Sequence, residues 1–113
     1  MLQVTFQPVS NRADWIDQIE VRDQNDQLVN LTGATITIGV RDPKTKAALL
    51  NSKTGDGTLV LQGTGVFQFT FSASKMRGLD ASKQYEVGCT ILLSGVTQQF
   101  FIGTVGVLDG IVP

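Results

Sequence analysis

The sequence contains no histidine, and its single cysteine, Cys89, has no second thiol with which to form an internal disulfide. Without histidine the chain lacks the commonest general base and the commonest metal ligand, which weighs against a metalloenzyme or a serine–histidine hydrolase. A formal net charge of −1 argues against a nucleic-acid-binding surface, which normally needs a clear excess of cations. No apolar run approaches the roughly 18 residues of a membrane span. We therefore expect no enzyme, no cofactor, no nucleic acid and no membrane partner.

The length and composition are those of one small globular domain. A chain of 113 residues has room for one hydrophobic core, and 42% of its residues are hydrophobic. We therefore expect residues 1–113 to form a single domain. The segment from Met1 to Arg12 lacks a basic patch followed by an apolar stretch, so it does not read as a signal peptide.

The clearest local pattern runs from Ala34 to Val40, where apolar and polar residues alternate without exception. A period of two is typical of a strand with one face on a core and one face in water. Thr32 and Gly33 predict a turn before this strand, and Pro43 ends it because proline has no N–H for the ladder. We interpret it as a central strand with which other strands pair.

The same alternation recurs along the chain, with turn residues at roughly the 8–12-residue spacing of sandwiches and barrels. It predicts further strands over residues 2–7, 15–22, 47–51, 58–62, 66–71, 83–93 and 97–108. The first of these ends at Pro8 and is expected at a sheet edge. One short helical turn is predicted near residues 73–78, which lack β-branched residues and end at Gly78. The pattern as a whole predicts an all-β sandwich of seven to eight strands.

The phase of the strands predicts which side chains share the core. We expect burial of six residues from four strands: Ile36, Ile38, Phe67, Phe69, Val87 and Ile91. Trp15 could be a stacking platform for a sugar or peptide, but its phase with Ile19 and Val21 favours the core. Asp17 interrupts the apolar character of that phase, which predicts either a bulge there or a position near the mouth of the strand.

Two groups of polar residues invite a functional interpretation. Half of the acidic residues lie between Asp14 and Asp26, which could indicate a calcium site. A calcium loop starting at Asp23 fails because it places Leu28 where glycine is required and Ala34 where glutamate is required. A solvated strand face and turn is the better interpretation. Cys89 could be a nucleophile, but no histidine can activate it, and it shares the phase of its apolar strand neighbours.

One feature is unusual for a monomer. From Val87 to the end of the chain, Asp109 is the only charged residue. Strict alternation would send two adjacent phenylalanines to opposite faces of the last strand, so both faces of this hairpin would be apolar, although a monomer normally solvates one face. The hairpin is therefore either covered on both sides or part of a protein–protein interface, and we predict an interface formed by Leu92, Phe100, Phe101 and Ile102.

The run from Asp23 to Pro43 resembles small Ig-like domains of tailed-phage and prophage tail or baseplate proteins, with the N-terminal domain of baseplate upper proteins as the nearest named relative. The features that carry the resemblance are an aspartate-rich turn, a Leu-Thr-Gly-Ala strand entry ending at Ala34, and a strand that ends in Arg-Asp-Pro. Asn30 stands where those domains usually carry aspartate. The resemblance continues at residues 84–87 and 103–107.

The resemblance implies an Ig-like antiparallel β-sandwich with no catalytic, cofactor or metal residues. It also implies a structural component of the virion, made in the host cytoplasm, that forms homo-oligomers and binds other virion proteins. Ig-like sandwiches serve many roles, so a second function stays open. In that alternative the protein is a binding module whose loops at one end of the sandwich contact a host-surface glycan.

Overall fold

The structure, a computed structural model, describes residues 2–111 and the side chains of residues 5–111. Within that range the chain forms nine strands and one short helix, α1 (Ala73–Met76), which lies between β7 and β8. The strands are β1 (Leu2–Thr5), β2 (Val9–Ser10), β3 (Trp15–Glu20), β4 (Thr35–Arg41), β5 (Ala48–Lys53), β6 (Leu59–Gly63), β7 (Val66–Phe71), β8 (Gln84–Leu93) and β9 (Val96–Leu108). The predicted all-β sandwich and its helical turn are confirmed. The additional strand is β2, which is too short to show a periodic pattern.

The strands form two sheets that pack face to face. The larger sheet has the order β1-β9-β8-β4-β5, with β2 also paired to β9, and the smaller has the order β3-β7-β6. In the immunoglobulin sandwich, the second, fifth and fourth strands form one sheet, and the third, sixth and seventh strands form the other. Here β3, β7 and β6 correspond to the first set, and β4, β8 and β9 correspond to the second. The predicted central strand, β4, lies inside the larger sheet between β8 and β5, and β1 lies at its edge as expected.

The two N-terminal strands depart from the expected antiparallel arrangement. Both β1 and β2 pair with β9 in parallel, whereas the other strand pairs are antiparallel. A hairpin forces its two strands to be antiparallel, but β1 and β9 are joined through the whole sandwich. Their relative direction is therefore free of that constraint.

The core lies between the two sheets, and all six predicted core residues are buried there. Its largest side chains are aromatic and meet mostly edge to face, which is the favoured geometry for such rings. The rings of Trp15 and Phe69 have centroids 5.3 Å apart, and the Phe6 ring contacts both Trp15 and Phe101. Because Phe6 follows β1, it connects the edge of the larger sheet to the smaller one.

The predicted bulge at Asp17 is wrong. Strand β3 pairs with β7 in unbroken register from Trp15 to Glu20. Asp17 stays on the inward phase, half-buried, because the indole Nε1–H of Trp15 donates a 2.9 Å hydrogen bond to its Oδ2. A buried indole N–H needs an acceptor, and the residue two positions along the same strand face can supply one.

The connection from α1 to β8 is anchored by Tyr85. The backbone N–H of Asp80 donates a 2.7 Å hydrogen bond to the Tyr85 hydroxyl, whose ring is buried. A tyrosine near the start of the sixth strand that binds the backbone a few residues upstream is a characteristic corner of immunoglobulin sandwiches. This contact agrees with the strand order in defining the fold.

Truncation of Phe69 tests the packing of this core. Phe69→Ala should lower the free energy of unfolding by about 3–5 kcal/mol, because the lost ring contacts Phe6, Trp15 and Phe71. Val60→Ala, at an exposed position on β6, is the matched control and should change stability by no more than about 0.5 kcal/mol. Denaturant unfolding measures both. Equal effects of the two substitutions would contradict the described core.

Candidate protein-interaction surface

The predicted interface residues are divided between core and surface because β9 contains a bulge. Cys89 pairs with Phe101 and Thr90 pairs with Gln99, so Phe100 is an extra residue with no partner on β8. The bulge removes the strict alternation on which the prediction for Phe100 and Phe101 relied. Phe101 is 1% exposed in the core, and Phe100 is half-buried against it, with the two ring centroids 5.8 Å apart. Phe101 is therefore a core residue and offers no surface to a partner.

The side chain of Gln99 stabilises this bulge. Its Nε2 donates hydrogen bonds to the carbonyl oxygens of Cys89 and Phe101, at 3.0 and 2.9 Å. A bulge interrupts the backbone ladder, and the side-chain amide supplies donors to carbonyls on both strands. Nothing in the local sequence pattern distinguishes Gln99 from the other polar strand residues, so the sequence did not indicate this role.

Leu92 and Ile102 are the predicted interface residues that do lie at the surface. They are 40% and 41% exposed and project from the same outer face of the larger sheet. Ile102 pairs with Gly88, four residues before Leu92 on β8, which places the two side chains roughly 13 Å apart along the sheet. The structure therefore puts them on one face without direct contact. Val96, which the sequence analysis missed, is 57% exposed at the hairpin tip.

The outer side of β9 is only partly covered. β1 pairs with residues Phe101–Thr104 of β9, and β2 pairs with its last two residues, Val107 and Leu108. Before Phe101, no strand among residues 2–111 pairs with the side of β9 that faces away from β8. We call residues Val96–Gln99 the open edge; all four are exposed and none is charged.

A groove crosses the outer face of the same sheet. It has a volume of about 880 Å³ and is lined in part by Gly39 and Gly88, which are cross-strand partners. Neither glycine has a positive φ, and a Cβ added to Gly39 would meet no atom within 4 Å. Glycine inside a strand is destabilising and often marks a close approach by another backbone or a ligand. Among the described residues, neither backbone conformation nor a close neighbour requires glycine at position 39.

Charged side chains form one wall of this groove. The Oε1 atom of Glu86 accepts hydrogen bonds from Arg41 Nε at 2.7 Å and from Lys46 Nζ at 3.0 Å. The hydrogen bond from Arg41 has the largest effect on the pKa of the Glu86 carboxyl, and together with the bond from Lys46 it lowers that pKa below its ordinary value. The cluster holds two basic side chains and one acidic side chain.

Asp42 fixes the turn beside that wall. Its carboxylate accepts a hydrogen bond from Lys83 and others from the backbone N–H groups of Lys44 and Thr45. The bond from Lys83 is the main reason that the pKa of Asp42 lies far below its ordinary value of 3.8. Because Lys83 precedes β8, this ion pair ties the β4–β5 turn to the neighbouring strand.

The acidic segment between Asp14 and Asp26 is used in local structure. Asp23 accepts hydrogen bonds from the backbone N–H groups of Asn25 and Gln27, and Arg22 forms ion pairs with Glu20 and Asp26. Among the described residues, no three histidine, cysteine, aspartate or glutamate side chains come close enough to hold a metal ion. The geometry of this segment is that of a turn with surface ion pairs.

The remaining candidate groups lie in the core. Burial raises the pKa of the Cys89 thiol to about 12, so it is protonated at neutral pH. Trp15 and Tyr85 are only 3% and 2% exposed, and neither ring can serve as a stacking platform.

The chain was compared with known proteins. Neither protein-family models nor curated proteins show a match to it. In the part of the chain that the structure describes, no helix has the length and apolar character needed to cross a membrane.

The strand glycines provide a test of the groove. Gly39→Ala should raise the free energy of unfolding by about 0.5–1 kcal/mol, because alanine loses less backbone entropy and its Cβ enters open space. Gly65→Ala is the matched control and should be destabilising, since Gly65 has φ +71° and an added Cβ would lie 2.9 Å from Leu28 Cβ. Chemical denaturation measures both. A destabilised Gly39→Ala variant would show that the chain itself needs this glycine.

The ion pair of Asp42 predicts a pH dependence. Because the pKa of Asp42 is lowered in the folded state, the ion pair with Lys83 stabilises the fold fully above pH 3.8. That stabilisation is lost as the pH falls through the folded-state pKa of Asp42. Asp42→Asn should therefore melt below wild type at pH 7, with the difference shrinking as the pH falls below 3.8. Combining it with Lys83→Met should cost less than the sum of the separate effects. A melting difference that is constant from neutral to strongly acidic pH would contradict this role.

Proposed function

We propose that this protein is a non-enzymatic structural module of a phage virion, in the tail or baseplate or as an adaptor, and that it acts through protein–protein contacts. The virion assignment rests on the resemblance of residues 23–43, and it implies synthesis in the host cytoplasm. The interaction role rests on one observation. The β8–β9 hairpin combines an open edge with exposed apolar side chains and carries no charged residue from Val87 to Leu108.

An uncovered, uncharged strand edge is a feature that monomeric β-proteins usually avoid. They protect edges with charged residues, proline, bulges or very short strands, because unpaired N–H and C=O groups recruit other strands. Edge strand β3 carries Glu20, β5 carries Lys53, β1 has only four residues, and the uncharged β6 shifts register between Leu61 and Gly63. The open edge of β9 has no charge or proline, so it suits the addition of a partner strand.

The glycan-binding alternative depends on an exposed aromatic ring. Sugar rings and peptides commonly stack on tryptophan or tyrosine, and this chain has one of each, Trp15 and Tyr85. Both are buried, and the groove on the larger sheet has no aromatic side chain among its described lining residues. These observations favour a protein partner over a glycan.

The test is incorporation of the protein into particles. Phage particles assembled with the wild-type chain should contain it, and Ile102→Lys should strongly reduce its incorporation while leaving the melting temperature close to wild type. Ile102 is exposed, so a lysine there is compatible with the fold but places a charge on the proposed contact face.

Val60→Lys is the matched control, because Val60 is similarly exposed on the smaller sheet. Mass spectrometry of purified particles, together with thermal melts of each variant, provides the readout. Absence of the wild-type chain from the particles would overturn the virion assignment. Equal incorporation of Ile102→Lys and Val60→Lys would overturn the role of this face.

A further inference from the structure

We propose that the open edge Val96–Gln99 pairs with the same edge of a second copy of this chain. The two β9 strands would run antiparallel about a two-fold axis at Thr97 and join the two larger sheets into one. This dimer rests on the proposed function, because both use the β8–β9 hairpin as the contact site. It adds the identity of one partner, a second copy of the chain, and the register of the two β9 strands.

The space beside β9 is short. Among residues 2–111, the uncovered length beside β9 and its turn runs from Ser94 to Phe100, because β1 begins opposite Phe101. A long strand from an unrelated partner would run into β1. The hairpin tip of a second copy avoids this clash, because its β9 strand also begins directly after the turn at Ser94 and Gly95.

Two-fold symmetry fixes the register of the two strands. When two copies pair about an axis perpendicular to the sheet, residues of the same phase face each other across it. With Thr97 at the axis, Val96 faces Gln98 of the partner subunit, and the partner's Gly95 faces Gln99. The partner's Ser94 then lies opposite Phe100, one position before β1. With Gln98 at the axis instead, the partner's turn would overlap the position of β1.

The charge of the segment suits self-pairing. At a two-fold axis the residue on the axis faces its own copy, and its neighbours face residues of the same short segment, so a charge on the axis would repel its own copy. No residue from Val87 to Leu108 is charged, although the chain as a whole has 9 basic and 10 acidic residues. Threonine–threonine and apolar cross-strand pairs are favourable. This neutral segment is therefore suited to a second copy of itself.

The bulge at Phe100 marks the end of the open edge. Pairing with β1 begins at Phe101, immediately after the bulge at Phe100, so the open edge ends where the bulge lies. The pairing is consequently short, and the exposed side chain of Val96 adds apolar contact at the tip. Such an interface predicts a weak dimer whose population depends on concentration.

Charge exchange at the axis tests the proposal. Thr97→Lys and Thr97→Glu should each lose the dimer, because like charges meet at the axis, and an equimolar mixture should recover it as a mixed dimer. Gln62→Lys, at an exposed position of the uncharged β6 strand, should keep the dimer. Sedimentation velocity over a concentration series measures the dimer in each case.

Crosslinking gives a second readout of the register. Thr97→Cys places two thiols across the axis at a separation that a disulfide can span, whereas the native Cys89 is buried. Oxidation should yield a covalent dimer rapidly for Thr97→Cys and slowly for Gln62→Cys. A wild-type chain that stays monomeric at millimolar concentration would overturn the dimer, as would failure of the mixture to recover it. If the chain is monomeric but still enters particles, the dimer is overturned and the proposed function stands. If the chain dimerises but is absent from particles, the proposed function is overturned and the dimer stands.

Discussion

The contact of the Phe6 ring with Trp15 and Phe101 is the constraint on which the arrangement of both sheets depends. Phe6 lies just after β1, Trp15 begins β3 in the smaller sheet, and Phe101 lies in β9 of the larger sheet. The backbone N–H of Phe6 also donates a 3.0 Å hydrogen bond to the carbonyl of Thr104. Ring packing and this hydrogen bond together hold the N-terminal strand beside β9. They determine which part of β9 is covered and which part stays open.

The bulge at Phe100 divides β9 into two functional parts. After the bulge, β9 is an interior strand whose Phe101, Val105 and Val107 side chains fill the core. Before it, β9 is an exposed strand that pairs, among residues 2–111, with β8 alone. The Gln99 amide stabilises the junction by donating to carbonyls on both strands. One inserted residue thereby allows the same strand to build the core and to present a free edge.

The sequence predicted the parts of the fold that depend on local alternation. The pattern from Ala34 to Val40 and its repeats located eight strands, the buried faces and the helical turn, because side-chain phase follows directly from the pleat of a strand. It could not predict the bulge at Phe100 or the hydrogen bond from Trp15 to Asp17. Both depend on a partner across space, and a strand pattern contains no information about register between strands. The parallel pairing of β1 escaped prediction for the same reason.

Amide hydrogen exchange at the open edge reports on the backbone groups of β9 that have no partner strand within residues 2–111 of the single chain. In dilute protein, outward-facing amides among Val96–Gln99 should exchange rapidly, while the amides of β8 and of β9 after Phe101 stay protected. As the concentration rises, protection should increase in Val96–Gln99 and stay unchanged in β6. Exchange in Val96–Gln99 that is already slow in dilute protein, or that does not respond to concentration, would contradict the account.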